Sequence, residues 1–374
     1  MVGVQYSMAK DLRIMIAGGG TGGHLFPALA IGEEIKARNH EAKVHFVGSN
    51  FGMESKVFPV KGVWHTLVPI RGFQRGLNLR SIGRNMLLPF RIIRSVLKMK
   101  KLIRNFSPQI VVGTGGYASA IPLYVASREK MPVPILLQEQ NSFPGITTRW
   151  FSKKANAICV AFKDAATALN SSTLITGNPI RAGIADGDKS KAYTQFKLNA
   201  DQRIIFLFGG SQGSAFLNQQ MSKIVQSLVD SNLQILWQTG DLAYNKYKHF
   251  DSDKVRVLPF INDMAAAYAL SDLIIARSGA LTLAEITVCK KPSILVPFPS
   301  AAGDHQTKNA QSMVNAGASH ILFEKVLNQS DFVRTILGII KNEKQLEEMS
   351  EAAGALGKPN ATRDIVDRIL EISQ

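Results

Sequence analysis

Ala17-Gly18-Gly19-Gly20-Thr21-Gly22-Gly23-His24 follows an apolar run, Leu12 to Ile16, and precedes a helix-like run that begins near Leu25. Glycine alone takes positive φ at no steric cost and lets a ligand reach bare backbone. A helix that starts just after such a turn aims its unpaired N–H groups at whatever fills the loop, usually an anion. The His24 imidazole stands at the rim. A second turn of the same make, Phe208-Gly209-Gly210-Ser211-Gln212-Gly213-Ser214, follows in the other half of the chain. Strand, glycine turn and helix, opened twice, predict an α/β protein of two Rossmann-like, doubly wound parallel-sheet domains facing across a cleft.

Working outward, β-rich runs are expected at 12–17, 43–47, 109–113, 135–138, 157–160 and near 173–176. Helices are expected at 25–38, 79–105, 118–129 and 146–154, with Pro27 in a first helical turn, where its missing N–H costs nothing. Around 181–195 the pattern lapses into small and polar residues. A second series follows at 203–208, 233–238, 255–258, 273–276, 293–296 and near 320–323, with surface helices over 343–351 and 361–372. The expected division is an N-terminal extension at 1–11, a first domain at 12–184, a linker at 185–200, a second domain at 201–358, and a closing helix at 359–374 that packs back on the first domain.

The chain has 374 residues, too many for one core of ordinary size, and its 45% hydrophobic and 19% charged composition excludes disorder. The net charge of +16 is lopsided: residues 1–185 carry 24 basic against 8 acidic side chains, and the remainder is neutral. No carboxylate occurs between Glu54 and Glu129, where Arg71, Arg75, Arg80, Arg84, Arg91, Arg94, Lys98, Lys100, Lys101 and Arg104 fall. Such a block implies an anionic partner. The two cysteines, Cys159 and Cys289, make neither a metal spacing nor a disulfide framework, which suits a reducing compartment. Residues 1–10 lack the apolar core of a signal peptide, and no window reaches the roughly 20 apolar residues of a spanning helix. A soluble or peripheral protein is expected.

Gly18-x-Gly20-x-x-Gly23 satisfies the dinucleotide fingerprint, but the second strand ends Val47-Gly48-Ser49-Asn50, without the acidic residue that holds a ribose. Nicotinamide binding is therefore disfavoured. No lysine follows Gly209–Gly213 in Walker fashion, which disfavours ATP hydrolysis. The pairs Asp186/Asp188 and Asp251/Asp253 end no strand beside a glycine loop and read as solvated turns, so no metal is inferred. In Ala276-Arg277-Ser278-Gly279-Ala280-Leu281-Thr282-Leu283-Ala284-Glu285 a strand ends, glycine turns the chain and a helix begins. Glu285 there is either an acceptor for ribose hydroxyls or, with Thr282, half of a capping box. After the next strand, Gly303-Asp304-His305-Gln306-Thr307-Lys308-Asn309 places amides at helical spacing, suited to reading sugar hydroxyls.

Taken together with Gly-Thr-Gly-Gly-Tyr (113–117), Gln-Glu-Gln-Asn (138–141), Gly-Asn-Pro-Ile-Arg (177–181), Phe-Ile-Asn-Asp-Met (260–264) and Asp-His-Gln-Thr-Lys-Asn-Ala (304–310), these motifs resemble the MurG family. They run in order from residue 12 to about 320. The resemblance implies a GT-B fold and inverting, metal-independent, cofactor-free transfer of N-acetylglucosamine from UDP-N-acetylglucosamine. The acceptor would be the C4 hydroxyl of undecaprenyl-pyrophosphoryl-N-acetylmuramyl-pentapeptide, in peptidoglycan synthesis. Carried over residue by residue, Ile261 would contact uracil through its backbone and Glu285 the ribose. Ser211 and its neighbouring glycines, with the helix start Ala280, Leu281, Thr282, Leu283 and Ala284, would hold the diphosphate, and Arg277 is a further donor-binding position. Gln306 and Asn309 would read the sugar, and Thr21, Gly22, Gly23, Asn141 and Arg181 are further donor positions. Gly20, Gly115, Gly116 and Tyr117 fall on the acceptor side. His24 matches the family's candidate base, and a histidine that titrates near neutrality suits that role; the alternative is a helix-start residue that only orients the loop.

Leu77, Leu79, Ile82, Met86, Leu87, Phe90, Ile93 and Leu97 interleave with the basic side chains of 71–104. That make-up fits peripheral attachment to an anionic membrane surface, here the cytoplasmic face of the bacterial plasma membrane, where a polyprenyl acceptor resides. The same stripe could instead pack on its own sheet. Other cell-wall synthesis proteins are further expected partners. Rival readings are a diacylglycerol glycosyltransferase, a UDP-N-acetylglucosamine 2-epimerase and, more distantly, an NAD oxidoreductase. No nucleic-acid partner is expected, because the basic block carries few aromatics and no base-reading motif.

Overall fold

The structure, a computed structural model, describes residues 11–72, 86–210 and 212–374. Four apolar residues after Arg13 in Arg13–Ala17 (β1) alternate between the two faces of a sheet: Ile14 and Ile16 join one buried cluster, Met15 and Ala17 the other. A strand buried on both faces needs helices on both sides, and the chain supplies them by crossing over after each strand. Lys43–Ser49 (β2), His65–Val68 (β3), Ile110–Gly113 (β4), Ile135–Glu139 (β5), Ala157–Val160 (β6) and Leu174–Ile175 (β7) complete a parallel sheet in the order β3-β2-β1-β4-β5-β6-β7. The second sheet, also parallel, comprises Ile204–Phe208 (β8), Gln234–Gln238 (β9), Val255–Leu258 (β10), Leu273–Ala276 (β11), Ser293–Leu295 (β12) and Ser319–Ile321 (β13) in the order β10-β9-β8-β11-β12-β13.

Both orders reverse direction beside the first strand of their series, between β1 and β4 and between β8 and β11. In open α/β sheets that switch point is where connections diverge to opposite faces and leave a crevice. Ala17 pairs with Gly113 across one switch point and Phe208 with Ala276 across the other. Each glycine loop therefore lies beside the loop that follows the neighbouring strand.

The chain divides into one unit that ends at Ile180 and takes back Asn360–Gln374, and a second that spans Arg181–Pro359. The final helix, Ala361–Ile372, buries Ile365, Val366, Ile369 and Leu370 in the first unit's core, and Asp367 pairs with Arg38. The stretch expected as a linker is ordered: Lys189–Phe196 is a helix in the second unit, started by Asp188, whose carboxylate accepts from the Ser190 and Lys191 amides. Ala192 and Phe196 are its buried anchors. Polar composition hid them.

Other boundaries moved for local reasons. The first helix spans Gly22–Arg38, so Pro27 lies inside it rather than in its first turn. The edge strand β3 and the helix Glu54–Lys61 had not been expected. The expected helix over 79–105 is Leu88–Phe106 within the described residues, while 73–85, including Arg75, Leu77, Leu79, Arg80, Ile82 and Arg84, lie outside them. That helix turns Ser95, Met99, Ile103 and Phe106 inward. Phe90, Ile93 and Leu97, on the opposite side, are 73%, 58% and 62% exposed. The apolar residues thus form two stripes, and only one packs on the sheet.

Candidate active site

Three strand ends build the site of the first unit. Past β1 the chain runs through Gly18–Thr21 into the helix that carries His24. Past β4 it runs through Thr114, Gly115 and Gly116 into Tyr117–Ala126, and past β5 through Gln140 and Asn141. Gly116 has φ +77°, and a Cβ there would stand 2.2 Å from the Gly19 carbonyl oxygen and 2.9 Å from the His24 ring. Only glycine lets the two loops touch. The Thr114 hydroxyl donates to the His24 carbonyl at 2.7 Å, which ties them further. His24 is half-buried, with Nδ1 3.0 Å from Gln140 Oε1.

A residue that the motif reading missed, Glu54, sits beneath the glycine loop, fully buried. Its Oε2 accepts from the Gly20 amide and its Oε1 from the Ser49 amide, both at 2.8 Å. Gly20, an expected acceptor-binding residue, thus has its N–H committed to an internal carboxylate. Burial, foremost, raises the Tyr117 phenol above its ordinary range. Tyr117 and Gly20 are close neighbours, since a Cβ on Gly20 would lie 2.9 Å from the Tyr117 ring. Thr21 is the exposed N-cap and Gly22 and Gly23 form the first turn. Asn141 donates its backbone and side-chain N–H to Glu139, 3.1 and 3.3 Å away. Glu139, also missed, accepts from Gly145 N and the Thr148 hydroxyl as well, and fixes the loop after β5.

In the second unit, Gln212 and Gly213 lead into the helix Ala215–Asp230, whose N-cap Ser214 accepts from the Leu217 amide. Ser211 lies outside the described residues. Gly213 has φ +75°, and a Cβ there would meet the Thr239 carbonyl at 1.9 Å. Beyond β11, Gly279 caps the helix Ala280–Val288, without any side-chain cap bond. The Thr282–Glu285 capping box is absent. Glu285 instead turns its carboxylate inward, where Oε2 accepts from the Tyr268 hydroxyl at 3.0 Å and Oε1 lies 3.6 Å from Arg181 Nε. Burial raises the Glu285 carboxyl above the usual carboxylate range, while Arg181 and then Tyr268 pull it down. A buried acceptor steadied by a half-exposed cation suits a pair of ligand hydroxyls.

The other positions expected to bind the donor divide into two groups. Ala280, Leu281 and Thr282 lie in the first helical turn, whose N–H groups point out of the helix. The Leu283 amide is spent on Gly279, its side chain is in the core, and Ala284 lies deeper in the same helix. Arg277 is buried and directed inward: it donates to Ser214 Oγ at 3.1 Å and to the Val296 and Pro297 carbonyls at 3.0 and 3.2 Å, and pairs with Glu324. It joins three loops. Ile261 is buried and its amide donates to Gln238 Oε1 at 2.9 Å. Gln238 in turn donates to the Gly210 carbonyl at 3.1 Å. Gln306 accepts from Phe298 N at 3.0 Å, and Ser278 joins the helix His305–Asn315 to the Gly279 turn through the Gln306 carbonyl and Asn309.

Two family models match in tandem: the glycosyltransferase family 28 N-terminal domain over residues 14–160 and its C-terminal domain over 204–369. The chain is 39% identical to a protein of Flavobacterium psychrophilum over 97% of its own length and 98% of that protein's. It is 37% identical to one of Lactiplantibacillus plantarum over 95% and 98%. Both are named UDP-N-acetylglucosamine--N-acetylmuramyl-(pentapeptide) pyrophosphoryl-undecaprenol N-acetylglucosamine transferase. Among solved structures, Acinetobacter baumannii MurG is similar with a TM-score of 0.77 at 28% identity, covering 96% of this chain and 99% of that one. The Neisseria meningitidis UDP-GlcNAc 2-epimerase has a TM-score of 0.63 at 13% identity over 96% and 100%, a likeness of fold alone.

Proposed function

This chain belongs to glycosyltransferase family 28, among the N-acetylglucosamine transferases of peptidoglycan synthesis, and from that premise we propose the following reaction for it. N-Acetylglucosamine passes from UDP-N-acetylglucosamine to undecaprenyl-pyrophosphoryl-N-acetylmuramyl-pentapeptide. The relatives at 35–39% identity match both units nearly end to end, which supports this reading over an enzyme that shares only the fold.

Transfer proceeds with inversion. The acceptor's C4 oxygen forms a bond to the anomeric carbon as the bond from that carbon to the diphosphate breaks, and UDP leaves with the electron pair. His24 takes the hydroxyl proton. The N–H groups at the start of Ala280–Val288 and the 209–214 loop meet the charge that develops on the diphosphate, so metal is not required. Glu285 holds the ribose hydroxyls, with Tyr268 and Arg181 setting its position. The 2-epimerase reading is separated by product. Purified protein given UDP-N-acetylglucosamine alone should leave it intact, and with a short-chain lipid acceptor it should release UDP and yield a β-linked disaccharide. Epimerised sugar nucleotide without acceptor would sink the assignment.

The protein attaches to an anionic membrane surface through the outward stripe Phe90, Ile93 and Leu97, flanked by Arg94, Lys98, Lys101 and Arg104. Exposed apolar side chains ringed by basic ones support that reading. No described helix is long and apolar enough to cross a membrane.

A further inference from the structure

His24 is useful as a base only in one of its two neutral tautomers, and the bonds around it choose which. Gln140 is 1% exposed, and its Nε2 donates to the backbone carbonyls of Thr114 at 2.8 Å and Gln138 at 3.1 Å. Carbonyls only accept, so the NH2 end of this amide is fixed and its Oε1 must face the imidazole. An oxygen there can only accept, which puts the hydrogen on His24 Nδ1 and the lone pair on Nε2. The surroundings lock the amide in turn: Gln138 Nε2 donates to Asn178 Oδ1, and Asn178 Nδ2 returns to the Gln140 carbonyl, both at 3.0 Å. All three amide side chains are buried.

We propose that Gln140 is a positioning residue that holds the His24 imidazole in the Nδ1–H tautomer and, being an amide rather than a carboxylate, withholds charge stabilisation from the imidazolium. The proposal rests on His24 acting as the base. A carboxylate at this place would favour the protonated ring and empty the base at neutral pH. The titratable groups of the elements packed around the imidazole are otherwise occupied. Glu54 is bound to the Gly20 and Ser49 amides, Glu139 to the loop after β5, and Tyr117 is a phenol raised by burial.

The experiment reads tautomer and pH profile separately. Long-range ¹H–¹⁵N spectra of the ¹⁵N-histidine-labelled full chain should show His24 protonated at Nδ1; protonation at Nε2 overturns the proposal without any variant. In Gln140→Glu the acidic limb of kcat against pH should move up by about one unit or more. In Gln140→Met kcat should fall about 10- to 100-fold with KM for UDP-N-acetylglucosamine held within about 3-fold. An unmoved limb together with unchanged kcat, in folded variants, would also overturn it. His24→Ala separates the two levels: if it keeps near-normal turnover, the base reading fails, whereas if it is inactive while Gln140 variants behave as wild type, only the Gln140 role fails.

Discussion

Gly20 donates its amide to the Glu54 carboxylate at 2.8 Å, so one N–H of the loop that looks most like a phosphate cradle is paired within the protein. Two backbone donors, from Gly20 and Ser49, depend on that one buried group. Glu54→Ala should destabilise the first unit by about 2–4 kcal/mol, because two buried N–H groups lose their acceptor. Urea denaturation followed by tryptophan fluorescence checks this, and the affinity for UDP-N-acetylglucosamine in the folded variant should stay close to wild type.

The ribose role proposed for Glu285 needs its ionised form, and burial opposes ionisation. Donor affinity should therefore decline as pH falls through the raised Glu285 value. Tyr268→Phe removes a hydrogen bond that lowers that value, so the decline should begin at higher pH, with affinity at neutral pH weakened about 3- to 10-fold. Calorimetric titration with UDP across a pH series measures both, and an unshifted midpoint would separate Tyr268 from Glu285.

Arg277 spends its donors on Ser214, Val296 and Pro297 and pairs with Glu324. Arg277→Ala leaves a carboxylate and two carbonyls without their partner, at a cost of about 3–5 kcal/mol. Arg277→Lys should recover only part of it, since an ammonium cannot span the three directions of a guanidinium. A double-mutant cycle with Glu324→Gln isolates the pair, and simple additivity would refute the coupling.

Burial, and secondarily His65, push His45 down to about 4 from an ordinary 6.5. The folded state disfavours the charged ring, so this contribution is complete above pH 6.5 and is lost as pH falls toward about 4. His45→Phe should flatten the loss of stability across that window by roughly 1–2 kcal/mol. Thermal melts at stepped pH read it, and an acid limb unchanged by the substitution would place its origin elsewhere.

Phe90→Glu and Ile93→Glu should reduce sedimentation with anionic vesicles by about 10-fold or more while leaving the melting temperature within a few degrees, since both side chains face out. Turnover of a soluble short-chain acceptor should be unaffected. Equal binding of wild type to neutral and anionic vesicles at low salt would remove the electrostatic part.

Which parts of this were legible in the sequence follows from the range of the interactions. The alternation of short apolar runs, glycine turns and helical runs is local, and it specified two parallel-sheet units and placed most strands to within a residue or two. His65–Val68 escaped because an edge strand is only half covered and lacks a continuous apolar run. The helix Lys189–Phe196 escaped because two buried anchors suffice to hold it. At the site, His24 and Glu285 were visible as reactive residue types beside glycine turns. Whether Glu285 capped its own helix was undecidable from spacing, and was settled by Tyr268, seventeen positions earlier and brought near by the sheet. Glu54, Gln140 and the inward course of Arg277 depend on contacts across 34, 116 and 63 positions of the chain. Local pattern determined the fold and the reactive residue types, since both follow from a few consecutive side chains. Which amide, carboxylate or ring each of them meets was decided by packing around the switch points, where separate strands end side by side.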